Sequence, residues 1–136
     1  MANVIVAPDV SFGVDNLLKV FLGGGINKCK NWQSEVIDNL NYLDINIYNP
    51  RQNHFDITEV NAAPKQIKWE FDRLNCMDIF TMYFCASESV QPICMYELGR
   101  YIARMQMRFP STWQDRIVVS VERGYSRELD VVEQLK

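Results

Sequence analysis

From Lys19 to Leu135, short runs rich in β-branched and aromatic residues alternate with longer stretches of helical periodicity. Such a chain buries its strands by laying helices over both faces of a parallel sheet, joined by right-handed crossovers. At 136 residues, 48% of them hydrophobic and 23% charged, one domain accounts for the whole pattern. No apolar run reaches the ~18 residues of a membrane span, and no basic segment precedes an apolar stretch at the N-terminus as in a secretory signal. Fourteen basic against 17 acidic residues leave a net charge of −3. That balance argues against a partner such as polymeric nucleic acid, whose binding relies on clustered Lys and Arg. The expectation is a cytoplasmic protein with a small-molecule partner and no membrane.

The elements read as follows. Lys19–Gly23 is a strand ended by Gly23-Gly24-Gly25, and a helix runs from about Lys30 to Tyr42 with Trp32, Val36, Leu40 and Leu43 at helical spacing. Ile45–Tyr48 is a strand stopped by Asn49-Pro50, and residues 51–63 form a polar loop. Pro64 suits the first turn of a helix reaching about Asn75, with Ile67, Phe71 and Leu74 on one face. Asp78 opens the run DIFTMYFC, a central strand covered on both faces. A helix from Pro92 to about Met107 carries Met95, Leu98, Ile102 and Met105 as its buried stripe, with Gly99 permitting close approach to the sheet. Ile117–Val121 is a further strand, and Ser126 caps a last helix bearing Leu129, Val132 and Leu135. The fold class is α/β: a three-layer, doubly wound, mainly parallel sheet of the flavodoxin or Rossmann-like kind. Residues 1–17 stand outside the alternation, and Asn3–Ala7 is either an edge strand or part of an N-terminal arm.

Cys29, Cys76, Cys85 and Cys94 form no C-x-x-C pair, and three of them lie among apolar or aromatic residues, so they read as buried thiols of a reducing compartment. The single histidine, His54, with Asp56 offers two metal ligands at most. No metal and no cofactor is expected.

In an open parallel sheet the ligand crevice lies beyond the carboxyl ends of the strands. Gly23–Gly25 leaves the first strand there, as a phosphate cradle or as a plain tight turn. Glu70 and Glu97 each lie about two turns into a helix that starts at that rim, flanked by Trp69 and Phe71 in one case and by Tyr96 and Leu98 in the other. Desolvation there raises a carboxyl pKa, which suits acid–base work, and paired carboxylates are what breaking a glycosidic bond requires. The alternative is a pair of surface glutamates bound to cations such as Arg73 and Arg100.

VFLGGGI (20–26), Trp32, NPR (49–51), QIKWEFDRLNCMDIF (66–80) and PICMYELGRYIA (92–103) occur in that order. The set resembles the nucleoside 2-deoxyribosyltransferase superfamily, which includes the 2′-deoxynucleoside 5′-phosphate N-hydrolases, over about residues 18–125 and defines residues 18–136 as such a domain. The resemblance implies cleavage or transfer at the N-glycosidic bond of a 2′-deoxynucleoside or its 5′-monophosphate. Glu97 matches the nucleophile that forms a deoxyribosyl–enzyme intermediate. Glu70, eight residues before Asp78, matches the acidic residue that engages the departing base. Asp78 orders the rim, and Gly23, Gly24 and Gly25 surround the sugar and its 5′ group. Phe21 stands where several members carry a tyrosine. Gly25 and Asn27 stand where phosphate-preferring members provide a serine and an arginine, with Lys28 or Lys30 as substitutes. Members usually add a final strand after the last helix, an edge that Asn3–Ala7 can take over, and they often assemble as homo-oligomers.

Of the aromatic residues Trp32, Trp69, Phe80, Tyr83, Phe84 and Tyr96, most read as core; Trp69 is the exception and a candidate, with Tyr96, to contact a base. Ser126 and Arg127 are either contacts for a ligand's polar tail or a turn and cap, and Arg100 and Arg104 either reach a partner subunit or form a solvated face. The alternative function is a non-catalytic protein that holds a nucleotide or nucleotide-derived signal in the same crevice.

Overall fold

A computed structural model of the chain describes residues 1–53 and 61–136; His54 and Asp56 lie outside the described residues. The strands are β1 (Asn3–Val6), β2 (Lys19–Gly24), β3 (Asn46–Asn49), β4 (Ile79–Phe84) and β5 (Ile117–Val121). They form a parallel sheet of order β1-β3-β2-β4-β5. The helices are α1 (Trp32–Leu40), α2 (Ala62–Leu74), α3 (Pro92–Arg108) and α4 (Glu128–Gln134), with a short 3-10 helix at Trp113–Arg116. Asn3–Val6 is therefore an edge strand, paired with β3. It lies at the opposite end of the strand order from β5, so it does not take over the edge expected after the last helix. Contacts divide the chain into two compact units, Met1–Leu22 with Gln33–Ile79 and Gly23–Trp32 with Phe80–Lys136.

The first unit is organised around β3, whose four residues are all buried. Such a strand must satisfy its polar side chains internally. Asn46 does so twice, accepting the Val14 N–H at 3.0 Å and donating to the Val14 carbonyl at 2.8 Å, while the Tyr48 hydroxyl donates to the Phe12 carbonyl at 2.8 Å. The partners of both residues lie in the segment that joins β1 to β2 without a helix. That segment also packs on α2. Asp9 accepts from the Trp69 indole at 2.6 Å, and Arg73 donates to the carbonyls of Asp9 and Ser11 at 3.0 and 2.8 Å. The Arg73 guanidinium is stacked on Phe12 and Trp69, 4.5 and 4.3 Å from their ring centres.

This strap corrects two expectations. The buried residues of α2 are Trp69, Arg73 and Leu74, whereas Ile67 and Phe71 are exposed. Trp69 is 4% exposed, a core residue rather than an exception. The cause is the covering segment, which offers carbonyl oxygens to a donor-bearing face of α2 rather than an apolar surface to Ile67 and Phe71. Gly13 has φ +88, and a Cβ there would collide with the Asn46 amide. Gly13→Ala is expected to lower stability by about 1–3 kcal/mol, read as an earlier urea midpoint with an unchanged slope. An unaltered midpoint would show that the strap contributes nothing.

In the second unit β4 pairs with β5 from Phe80↔Ile117 to Phe84↔Val121. Phe80, Met82 and Phe84 are fully buried, while Thr81 and Tyr83 on the opposite face are half-buried, so one face of the strand is covered more completely than the other. Phe80 packs edge-on against Tyr101, and Phe84 stacks on Tyr125 at 5.1 Å. The buried stripe of α3 is Cys94, Leu98, Tyr101 and Met105, not the one through Met95 and Ile102. Gly99 faces open space and makes no close approach to the sheet. α4 begins at Glu128 with Arg127, not Ser126, at its cap position, and it buries Val131 while Leu129, Val132 and Leu135 stay exposed. Among the described residues no helix is long and apolar enough to cross a membrane.

Candidate functional site

In the first unit the carboxyl end of β3 leads into Pro50, Arg51 and Gln52, and this turn meets α2. Asn49 Oδ1 accepts the Arg51 N–H at 3.0 Å, and Gln66 on α2 donates to the Pro50 carbonyl at 2.8 Å. One helical turn further on stands Glu70, half-buried. Burial pushes its carboxyl up to about 7, against the opposing pull of a hydrogen bond from the Gln66 side chain. At neutral pH this group is divided between acid and carboxylate, the condition for donating a proton to a leaving group. Arg73 is not its counterion, since the guanidinium is spent on the carbonyls of Trp69, Asp9 and Ser11. Arg51 instead donates to the buried Gln33.

Asp78 is not at this rim. It precedes β4 and its carboxylate accepts the N–H of Lys19, the first residue of β2, while its own N–H donates to the Lys19 carbonyl. Asp78 thus clamps the amino ends of two strands, about five residue rises, or ~16 Å, from the carboxyl end of β2.

In the second unit the glycine loop is held from several sides. Gly25 donates to the Tyr83 carbonyl at 3.1 Å, and its own carbonyl accepts the Trp32 indole at 2.9 Å. Gly24 has φ +148, and a Cβ on it would strike the Tyr83 carbonyl and the Trp32 ring. On Gly25 a Cβ would strike Cys29 and the Gln91 amide. A Cβ on Gly23 would press on the Thr81 carbonyl, so the triplet is a tight, fully packed turn in which none of the three residues has room for a side chain.

Cys29 and Cys85 form a disulfide that ties this loop to the end of β4, which corrects the expectation of four thiols; Cys76 and Cys94 retain theirs. Asn27 is exposed at the tip of the loop. Lys28, at φ +59, pairs with Glu88 at 3.0 Å, and both side chains are exposed. Gln91 adopts φ +52 just before α3 and donates to the Cys85 carbonyl at 2.8 Å.

Glu97 lies on α3, half-buried. It is one of the charges around Tyr101, whose hydroxyl is pushed up mainly by burial, opposed by Arg100 and Arg104, with Glu97 adding to the rise. Tyr96 is 61% exposed, so it is not core, and its hydroxyl accepts from Arg100 at 3.0 Å. Ser126 is exposed, and the start of α4 carries Glu128 and Asp130, the latter paired with Arg127 at 2.9 Å. That acidic turn is unfavourable for an anionic ligand tail.

A family model described as nucleoside 2-deoxyribosyltransferase like matches residues 17–111, well over half of the chain. The chain belongs to this family. No curated protein matches it. The nucleoside 2-deoxyribosyltransferase-like family is typically enzymatic and takes small nucleoside substrates. Within the matched span lie Glu70, Glu97 and the whole glycine loop. Among the described residues no three side chains are grouped to hold a metal ion.

Sequence reasoning missed Gln66, Gln91 and the Cys29–Cys85 pair. Gln66 had a usable signal, its position four residues before Glu70 on a helix. Gln91 had none, because a glutamine gives no warning of a left-handed backbone.

Proposed function

We propose that the protein cleaves or transfers the N-glycosidic bond of a 2′-deoxynucleoside or its 5′-monophosphate. Glu97 is the nucleophile: its carboxylate attacks C1′ as the bond to the base breaks, giving a covalent deoxyribosyl ester. Glu70 is the acid that delivers a proton to the departing base. Water, or a second base, then attacks C1′ from the opposite side and releases Glu97, so two inversions give net retention. The observation that carries this reading is the carboxyl of Glu70 near 7, protonated often enough at neutral pH to serve as donor. Family membership supports the same class of chemistry.

The oligomeric state follows as part of the proposal: a homo-oligomer in which neighbours complete each other's sites. The packed glycine loop surrounds the sugar, with exposed Asn27 and Tyr96 as further contacts.

The test is a panel of deoxynucleosides and their monophosphates, each incubated with and without acceptor bases. Free base released without an acceptor marks hydrolysis, and a new nucleoside formed with one marks transfer. Binding without any product across the panel would overturn the catalytic reading in favour of a sequestering protein.

A further inference from the structure

We propose that the outer edge of β5 is a self-pairing surface: two copies of the chain join antiparallel along it, centred on Val119. Pairing of this kind does not depend on the glycosidic reading.

β5 ends the strand order, so among the described residues one side of its backbone has no neighbouring strand. Two bonds show which groups that side presents. Glu122 donates its N–H to the Phe84 carbonyl across the β4 pair, whereas the Tyr83 carbonyl accepts from Gly25 on the other side of β4. Alternate residues of a strand turn their N–H and C=O to opposite edges. Val118 and Ser120 therefore face β4, and Ile117, Val119 and Val121 aim both groups outward. Natural edge strands discourage pairing with a charge, a proline or a bulge. The run IVVSV has neither charge nor proline, and its register with β4 is unbroken. β1, the other edge, is only four residues long and is soon followed by Pro8.

The strand is complementary to its own reverse about Val119. In that register Val119 meets Val119 of the second copy and Ile117 meets Val121, each pair exchanging both N–H···O bonds. Val118, 52% exposed, meets Ser120. The flanks are Asp115-Arg116 before the strand and Glu122-Arg123 after it. Antiparallel pairing sets Asp115 against Arg123 of the second copy and Arg116 against its Glu122, so charge is complementary at both ends. Sliding one copy by two residues loses all of these opposite-charge pairs. Arg116 is already held over the Phe109 ring at 3.7 Å and Glu122 accepts from the Tyr83 hydroxyl at 2.8 Å, which reduces the entropy lost on pairing. On the face toward α3 an open groove of about 640 Å³ runs beside the strand, lined by Ile117, Val119, Ile102, Trp113 and Leu135. Val119 and Val121 of the second copy lie along its wall in the pair and withdraw apolar surface from water.

The test is sedimentation velocity of the full chain from about 1 to 100 μM, where weak self-association is read. A dimer that forms with rising concentration is expected. Val119→Pro removes one outward N–H and no bond to β4, and should weaken the dimer at least ~10-fold. Asp115→Arg, at an exposed position outside the strand, sets like charges against each other and should weaken it about 10-fold; adding Arg123→Asp should restore it. If Val119→Pro does not fold, the charge pair decides alone. Hydrogen exchange gives a second readout: the Val119 amide should slow as concentration rises, whereas those of Val118 and Ser120 are slow throughout. A monomer at every concentration would overturn the proposal, as would a dimer indifferent to either variant or not restored by the double one. A Val119 amide already slow in the monomer would do so too, since the chain itself would then cover the edge. Base release by a monomer sinks this pairing and leaves the glycosidase reading intact; a dimer without base release does the reverse.

Discussion

Glu97→Gln and Glu97→Ala are each expected to lower base release by about three orders of magnitude or more, with a melting temperature close to that of the wild type. Loss of a nucleophile removes the covalent route altogether, and residues acting as a unit show such losses singly. Stability should be spared because Glu97 is half-buried on a helix whose packing stripe is Cys94, Leu98, Tyr101 and Met105. Glutamine is the more informative substitution. It keeps the length and the hydrogen-bonding oxygen but cannot form the ester, so retained activity would exclude Glu97 as nucleophile. Rapid-quench measurement of the first turnover checks this. A slow first turnover in Glu97→Gln places the loss in bond cleavage, and a normal one followed by slow cycling places it elsewhere.

The second large effect is a pH-dependent stability difference at Glu70. Burial pushes its carboxyl up to about 7 in the folded chain, against 4.5 for an ordinary glutamate. Between those values the folded chain holds a proton that the unfolded chain has released. Stability therefore falls as pH rises through this window, and the full cost is present above it. The cost is at most about 3 kcal/mol, since each pH unit is worth ~1.4 kcal/mol. Glu70→Gln mimics the protonated form and does not titrate. The variant should match the wild type near pH 4.5 and exceed its stability by up to ~3 kcal/mol at pH 8. Urea unfolding of both proteins at the two pH values decides it; parallel stability profiles would mean that Glu70 is not desolvated. The same substitution should slow base release by about 100- to 10,000-fold, the usual worth of a general acid. More stable and less active is the signature to look for.

The alternation of strand and helix was legible because periods of two and 3.6 residues are written locally: β2 to β5 and α1 to α4 lie close to where the pattern puts them, whereas β1 stood outside it. Burial within the helices was less legible. In α2 the apolar positions Ile67 and Phe71 point outward while Arg73 is 2% exposed, because the strap from residues 9 to 12 supplies backbone acceptors and an aromatic ring to receive a cation. No helical wheel contains that information, since the strap is about 60 residues away in the chain. The Cys29–Cys85 pair, separated by 56 positions, escaped notice for the same reason.

Asp78 shows the limit for the site. A carboxylate next to a strand can be assigned to either end of the sheet until the backbone partners of that strand are known, and here they are the N–H and carbonyl of Lys19.

By itself the sequence determined the α/β class, the place of the glycine turn and the two glutamates to examine. These depend on residue type and spacing, which are local. Only the tertiary structure decided that burial pushes the Glu70 carboxyl up, that Trp69 is core and that the Gln66 amide turns its nitrogen to the Pro50 carbonyl. Proton affinity, burial and amide orientation depend on the dielectric and the partners around a group, and residues remote in the chain assemble both.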